Sequence, residues 1–371
     1  MNKINITKLG FYRPICFYKN NILCYKKGCL YFYNGIKFAY HCKIKISGFR
    51  GFVSKTRLLT RIMHRYVYCG IAPTNSPFAY ISANDGIYRV SLDKKDFIEK
   101  IFTFKPGDMH RPLSMFEVFS INGFDNAIIF GDYSYNKNRD EMCVYAIKEN
   151  DKKIDVVYTF PKGTIRHIHS IIPDPFRDRV LILTGDKDEE CCVLEAKDNF
   201  KNVRLLFSGK QEYRFCAGKA FSNYVALVTD SPFNQNYVFA LKKDGPSNRL
   251  ESLFNVPGPT VFFTLSHENE LIFATDVEND EKGLSPLQEF FINKKGDGVL
   301  DNYSHVFSFS PERGLKEIIR FEKDKWPMRI FGFGTVHFPS GGNDDNILYL
   351  FPMSVKKYDQ QLVRIDRNES N

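Results

Sequence analysis

A chain of 371 residues with 43% apolar and 26% charged residues has a globular composition and the length for one large domain or two to three ordinary ones. Disordered, collagenous and coiled-coil proteins are excluded, and no run approaches the roughly 20 apolar residues that span a bilayer. The formal charge is +9, yet residues 1–84 hold 14 Lys or Arg and no Asp or Glu, which leaves the remaining 287 residues at −5.

The opening stretch, MNKINITKLGFYRPICFYKNN, lacks the apolar core of a secretory signal, so a cytoplasmic location is expected. The composition favours strands: 35 Phe and 20 Tyr suit pleated, half-buried surfaces, while 24 Gly and 17 Pro punctuate the chain. The nine cysteines are odd in number and form no CxxC pair, which speaks against a disulfide framework or a zinc ribbon. Reduced cysteines filling apolar positions are expected.

In chain order, residues 11–44 read as strands. They are expected to close the fold with the C-terminal strands (residues 1–46 as a closing segment), with a blade of their own as the alternative. A short helix follows over 54–66. Ser54 is its candidate cap, and Leu58, Leu59, Ile62, Met63 and Tyr66 form an apolar stripe opposite Arg57, Arg61 and Arg65. A basic amphipathic helix of this kind packs on its own domain or lies on an anionic membrane surface through residues 43–65.

From residue 67 a pattern returns every 45–50 residues. Its second strands are FAYISANDG, AIIFGDYSYN, VLILTGDKDEE, YVALVTDSPFN, ELIFATDVEND and ILYLFPMSV, each an apolar run ending in a small or acidic loop. Four strands per unit describe an all-β fold, a single β-propeller spanning 1–371. Units at 67–104, 110–160, 165–207, 213–254, 261–321 and from 330 onward give six blades, with seven as the alternative. Residues 277–304 form an insertion inside the fifth of these units, of the length that functional lids or disordered loops have.

Propeller geometry brings the loop entering each innermost strand and the loop joining its second and third strands to one face. The first set holds His110, Arg111, Arg166, His167, His169, Tyr213 and Arg214; the second holds Asp132, Tyr133, Arg139, Asp186, Asp188, Glu189, Asp230, Asp276 and Glu278. RHIHS at 166–170 is the sharpest local signal, because residues two apart on a strand share a face. Paired imidazoles act as a general base, bind a divalent metal or simply pack at a channel mouth. The acidic residues serve equally as turn formers.

KDNFKNVRLL (197–206) and SPERGLKEII (310–319) resemble worn forms of the Asp-box turn of sialidase-like (BNR) propellers, without its Trp. GDYSYN, YTFPKGTIRHIHSIIPDPFRDRVLILTGDKDEE, TDSP and FEKDKWP are similar to bacterial propellers of that kind associated with surface-polysaccharide loci. Phe11-Tyr12-Arg13-Pro14 is near the sialidase Phe/Tyr-Arg-Ile-Pro wording but out of order, and the sialidase Arg triad and nucleophile pair have no match. The clustering of His110, His167, His169, Tyr133 and Arg166 is similar in kind to that of propeller polysaccharide lyases.

The resemblance implies a carbohydrate-linked propeller, most readily an enzyme acting on an acidic surface polysaccharide or its fragments. As a lyase, Arg166 or Arg111 would neutralise a uronate carboxylate, His167 or His169 would take the C5 proton, and Tyr133 would protonate the leaving oxygen. A hydrolase would instead need two carboxylates about 5–9.5 Å apart, from Asp132, Asp186, Asp230 and Asp276. His110, Arg111, Asp132, Arg139, Asp186, Tyr213, Arg214, Asp230 and Asp276 are the substrate-binding candidates. No cofactor is required, though a divalent metal at His167 and His169 is admissible. No nucleic-acid partner is expected. The alternative is a non-catalytic propeller that binds glycan or protein and serves polysaccharide assembly.

Overall fold

The computed structural model describes residues 5–45, 48–53, 55–62, 69–83, 85–104, 111–148, 150–244, 247–266, 269–279, 285, 288, 291, 293–343 and 346–367. The strand β1 (Asn5–Gly10) comes first. Blade 1 is β2 (Arg13–Tyr18), β3 (Asn21–Lys26), β4 (Cys29–Tyr33) and β5 (Phe38–Lys43), followed by two short helices, α1 (Gly48–Val53) and α2 (Arg57–Ile62). Blade 2 holds β6 (Cys69–Ile71), β7 (Phe78–Ala83), β8 (Gly86–Ser91) and β9 (Ile98–Thr103). Blade 3 holds β10 (Phe116–Val118), β11 (Ala127–Gly131), β12 (Met142–Lys148) and β13 (Ile154–Phe160).

Blade 4 holds β14 (His167–Asp174), β15 (Arg179–Gly185), β16 (Cys192–Lys197) and β17 (Asn202–Ser208). Blade 5 holds β18 (Phe215–Ala220), β19 (Val225–Thr229), β20 (Asn236–Asp244) and β21 (Ser247–Val256). Blade 6 holds β22 (Thr260–Ser266), β23 (Leu271–Thr275), β24 (Tyr303–Ser310) and β25 (Gly314–Glu322), and the short helix α3 (Met328–Phe331) follows. Blade 7 combines β26 (Thr335–His337), β28 (Ile347–Met353) and β29 (Leu362–Asp366) with β1, and the two-residue β27 (Gly342–Asn343) adds to β22 in parallel.

The fold is therefore an all-β propeller of seven four-stranded antiparallel blades, not six. Of the segment 1–46 expected to close onto the C-terminal strands, β2 to β5 make a blade of their own, the stated alternative, and β1 makes the closing pairing, with Asn5 opposite Asp366 and Gly10 opposite Leu362.

Two compact units divide the chain. One comprises Tyr68–Ser231 and Asn236–Asn255, which carries blades 2 to 5; the other comprises Met1–Val67, Pro232–Gln235 and Val256–Asn371, which carries blades 1, 6 and 7. Within each, the core lies between the faces of neighbouring blades. Ile129, Val144, Ile168, Ile171 and Ile182 pack together in the first unit, and Ile272, Val306, Leu348 and Val363 in the second. A strand covered on both faces reads as a near-continuous apolar run, and all residues of β11, β15, β19 and β23 are buried, Arg179 and Thr184 of β15 with polar partners. The outermost strands β13, β17 and β21 mix exposed with covered positions instead.

The basic helix differs from expectation in length and in face. α2 covers six residues, and Ser54, Met63, Arg65 and Tyr66 lie outside the described residues. Leu58 is exposed, whereas Arg61 is buried, because its guanidinium pairs with Asp324 (2.5 Å) and Asp359 (3.3 Å) and donates to Phe331 O. The ion pairs, not the hydropathy stripe, set which side turns inward. None of the nine cysteines is in a disulfide, and burial pushes the thiols of Cys16 and Cys191 up to about 12. Among the described residues no helix is long and apolar enough to cross a membrane.

Candidate functional site

Blades 3, 4 and 5, all in one compact unit, supply the site. β14 opens with His167 and continues through Ile168 to His169. The ladder with β15 pairs Ile168 with Thr184 and then Ser170 with Leu183, so His169 is the extra residue of a β-bulge. A bulge re-aims a side chain that regular pleating would direct elsewhere. The two rings lie 5.0 Å apart between centroids, and Nε2 of His167 stands 3.1 Å from Nε2 of His169. Asp186, one residue past β15, places Oδ1 3.3 Å from both nitrogens.

Neighbouring blades hold this cluster from both sides. His167 Nδ1 lies 2.8 Å from Ser134 O in blade 3, and His169 Nδ1 lies 3.2 Å from Phe215 O in blade 5. A carbonyl only accepts, so each Nδ1 carries a hydrogen, and both Nε2 atoms turn toward Asp186. Arg166 Nη1 donates to Asp186 Oδ2 at 2.7 Å, and its guanidinium sits 4.8 Å from the centre of the Tyr135 ring. Arg214 Nη2 is 3.2 Å from Asp186 Oδ1 and 3.5 Å from Asp230 Oδ2. Gln211 donates to Asp186 O and to Asp188 Oδ1, fixing the loop that carries the carboxylate.

The electrostatics follow from that enclosure. Burial lowers the His169 pKa to about 4 against the opposing pull of Asp186. Burial alone would raise the Asp186 carboxyl, but hydrogen bonds from His167 and His169 and the nearby Arg214 hold it well below the usual carboxylate range. Gly185 allows the close approach: a Cβ there would fall 2.4 Å from His169 Cε1 and 3.2 Å from Arg214 Cγ.

The expected site residues divide. His167, His169, Arg166, Asp186, Arg214 and Asp230 come together, and the Tyr133 ring lies 4.2 Å from that of His167. Arg111 is tied to Tyr133 through a backbone bridge. Tyr213 packs on Phe207 at 5.4 Å. Asp132 turns into its own blade, accepting from Cys143 N (2.9 Å) and the Tyr145 hydroxyl (3.2 Å). Arg139 pairs with the buried Glu190 and donates to the carbonyls of Asn136 and Lys137. Asp276 is buried in the other unit, and His110 lies outside the described residues. Gly185, Gln211 and the carbonyls of Ser134 and Phe215 were not legible beforehand; a Gly directly before the loop acid is the one sequence trace of them. Cys216, the bulged residue of β18, forms a second buried group with His169 and Asp230.

No family model matches the chain, and no curated protein sequence matches it. Among solved structures it is similar to a catalytically inactive virginiamycin B lyase from Staphylococcus aureus with quinupristin, at 10% identity, TM-score 0.57, covering 98% of this chain and 99% of that one. It is also similar to an oligogalacturonate lyase in complex with manganese, at 10% identity, TM-score 0.53 and 99% and 94% coverage. A third similarity, to a puromycin-hydrolyzing peptidase from Mycobacterium tuberculosis, has 11% identity and TM-score 0.56. It covers 97% of this chain and 52% of that one. At such identities the likeness is one of fold: the two lyases are propellers, and so is this chain.

Proposed function

We propose that the chain is a carbohydrate-linked propeller enzyme that cleaves an acidic surface polysaccharide, or its fragments, by β-elimination. The observation that carries this reading is the convergence of His167, His169 and Asp186 between Arg166 and Arg214. The propeller lyases among the similar structures, one of them an oligogalacturonate lyase, make the chemistry a natural one for the fold.

Elimination next to a uronate carboxylate requires that the carboxylate's developing charge be stabilised and that a proton be removed at C5. We assign the carboxylate to Arg166, a reading supported by its being the more exposed of the two arginines. The imidazoles point at each other and at Asp186, so they belong to the charge-stabilising pole. Proton transfer to and from the sugar then falls to Tyr133, stacked beside His167. On this assignment proton removal passes from His167 or His169, the candidates by residue type, to Tyr133.

A screen of uronate-containing glycans, followed by the absorbance of the unsaturated product, tests the reading. The wild-type chain should release that product, and the His167→Ala, His169→Ala double variant should lose the activity by at least about 100-fold. New reducing ends without unsaturation would assign hydrolysis instead. Binding with no product would assign the non-catalytic role.

A further inference from the structure

We infer that His167 Nε2, His169 Nε2 and a carboxylate oxygen of Asp186 bind one divalent transition-metal cation. The first ground is convergence. Both Nδ1 atoms lie within hydrogen-bond reach of main-chain carbonyls, so both Nε2 atoms turn to one point, 3.1 Å apart, with Asp186 Oδ1 3.3 Å from each.

The second ground is size. Donor atoms bound at about 2.1 Å lie about 3.0 Å apart at adjacent octahedral positions and about 3.4 Å apart in a tetrahedron. The observed edges of 3.1, 3.3 and 3.3 Å fall between these values. Two imidazoles with one carboxylate occupy one face of a coordination sphere and leave the other positions for substrate or water. Imidazole nitrogen favours zinc, manganese, iron, cobalt or nickel over calcium and magnesium, which prefer all-oxygen sites.

The surroundings are those of a supported site. Metal-bound imidazoles characteristically donate their second N–H to a carbonyl or carboxylate, which fixes the tautomer and the ring orientation. Here blade 3 and blade 5 each provide one such carbonyl. Charge points the same way. Arg166 and Arg214 are matched formally by Asp186 and Asp230, and a divalent cation adds positive charge for an anionic substrate to meet. The cation's part in glycan cleavage rests on the proposed function; its binding does not.

The full-length protein, stripped with chelator and titrated with Mn²⁺ and separately with Zn²⁺ in a calorimeter, provides the test. One saturable equivalent is expected. His167→Ala or His169→Ala should lose it, and Asp186→Asn should weaken it by at least about tenfold. Cys216→Ser should leave it unchanged, which separates this group from the one formed by His169, Cys216 and Asp230. If the alanine variants do not fold, nitrogen-15 histidine spectra of the wild-type chain decide, because Zn²⁺ should shift both Nε2 signals and neither Nδ1. No saturable equivalent, an equivalent that survives both histidine substitutions, or one lost in Cys216→Ser would overturn the inference. A loaded chain that leaves every glycan intact would count against the proposed function and leave the metal site standing.

Discussion

At the scale of single residues, Gly185 shows how closely the site is built into its blade. It lies opposite His167 in the ladder, and an added methyl would meet His169 at 2.4 Å. His169 is 2% exposed, so the ring has no free space to move into. Gly185→Ala should lower stability by about 1–3 kcal/mol, the ordinary cost of overpacking, and weaken the cation equivalent as well. Gly218→Ala is the control: its Cβ would meet Leu227 Cδ2 at 2.8 Å and Ala226 O at 2.9 Å, so it should cost similar stability while leaving binding intact. Denaturant midpoints and calorimetry on both variants check this; equal losses of binding would deny Gly185 a specific role. The histidine pair was legible in RHIHS because two imidazoles in three residues are conspicuous. The bulge that aims His169 and the carbonyls that fix both tautomers were not, since main-chain groups from adjacent blades leave no mark in side-chain identity.

At the scale of elements, the corner joining β14 to β15 carries a buried ion network. Asp174, fully buried, accepts from Arg177 at 2.9 Å and from Arg179 at 2.8 Å; Arg179 also donates to Glu195 at 2.9 Å. Removing one partner of a buried pair leaves a charge that the interior cannot solvate. Arg179→Met should therefore cost about 3–5 kcal/mol, read as a lower urea midpoint at unchanged slope. A loss below about 1 kcal/mol would mean that Arg177 and Arg204, which donates to Glu195 Oε1 at 2.7 Å, compensate fully. Blades 2 to 7 were legible because their second strands, covered on both faces, are continuous apolar runs. α2 was not legible in its orientation: Arg61 turns inward to two carboxylates about 260 and 300 positions away in sequence, a contact that helical periodicity cannot register.

At the scale of the whole chain, the blade count turned on the least conspicuous strand. β1 is mostly exposed and polar, with Ile6 its contribution to the packed cluster of blades 6 and 7, so no apolar run announces it. The closing segment expected over 1–46 contains it, but the strand-rich 11–44 draws the eye instead, and most of that stretch is a blade of its own. Deleting residues 1–10 should expose the edge of β29, lower the thermal midpoint and promote self-association through the unpaired edge; a monomeric truncation with an unchanged midpoint would show that β1 adds nothing to blade 7.

The pairing of β1 with β29 also bears on how the protein is made. The two strands are separated by almost the entire chain, and at ordinary synthesis rates of 5–20 residues per second that gap takes about 20–70 s to cross. Blades 2 to 5, including the histidine site, are contiguous and emerge from the ribosome in order. Blade 7 must wait with one strand ready and three still to come. The candidate site can thus be finished long before the sheet that joins first strand to last.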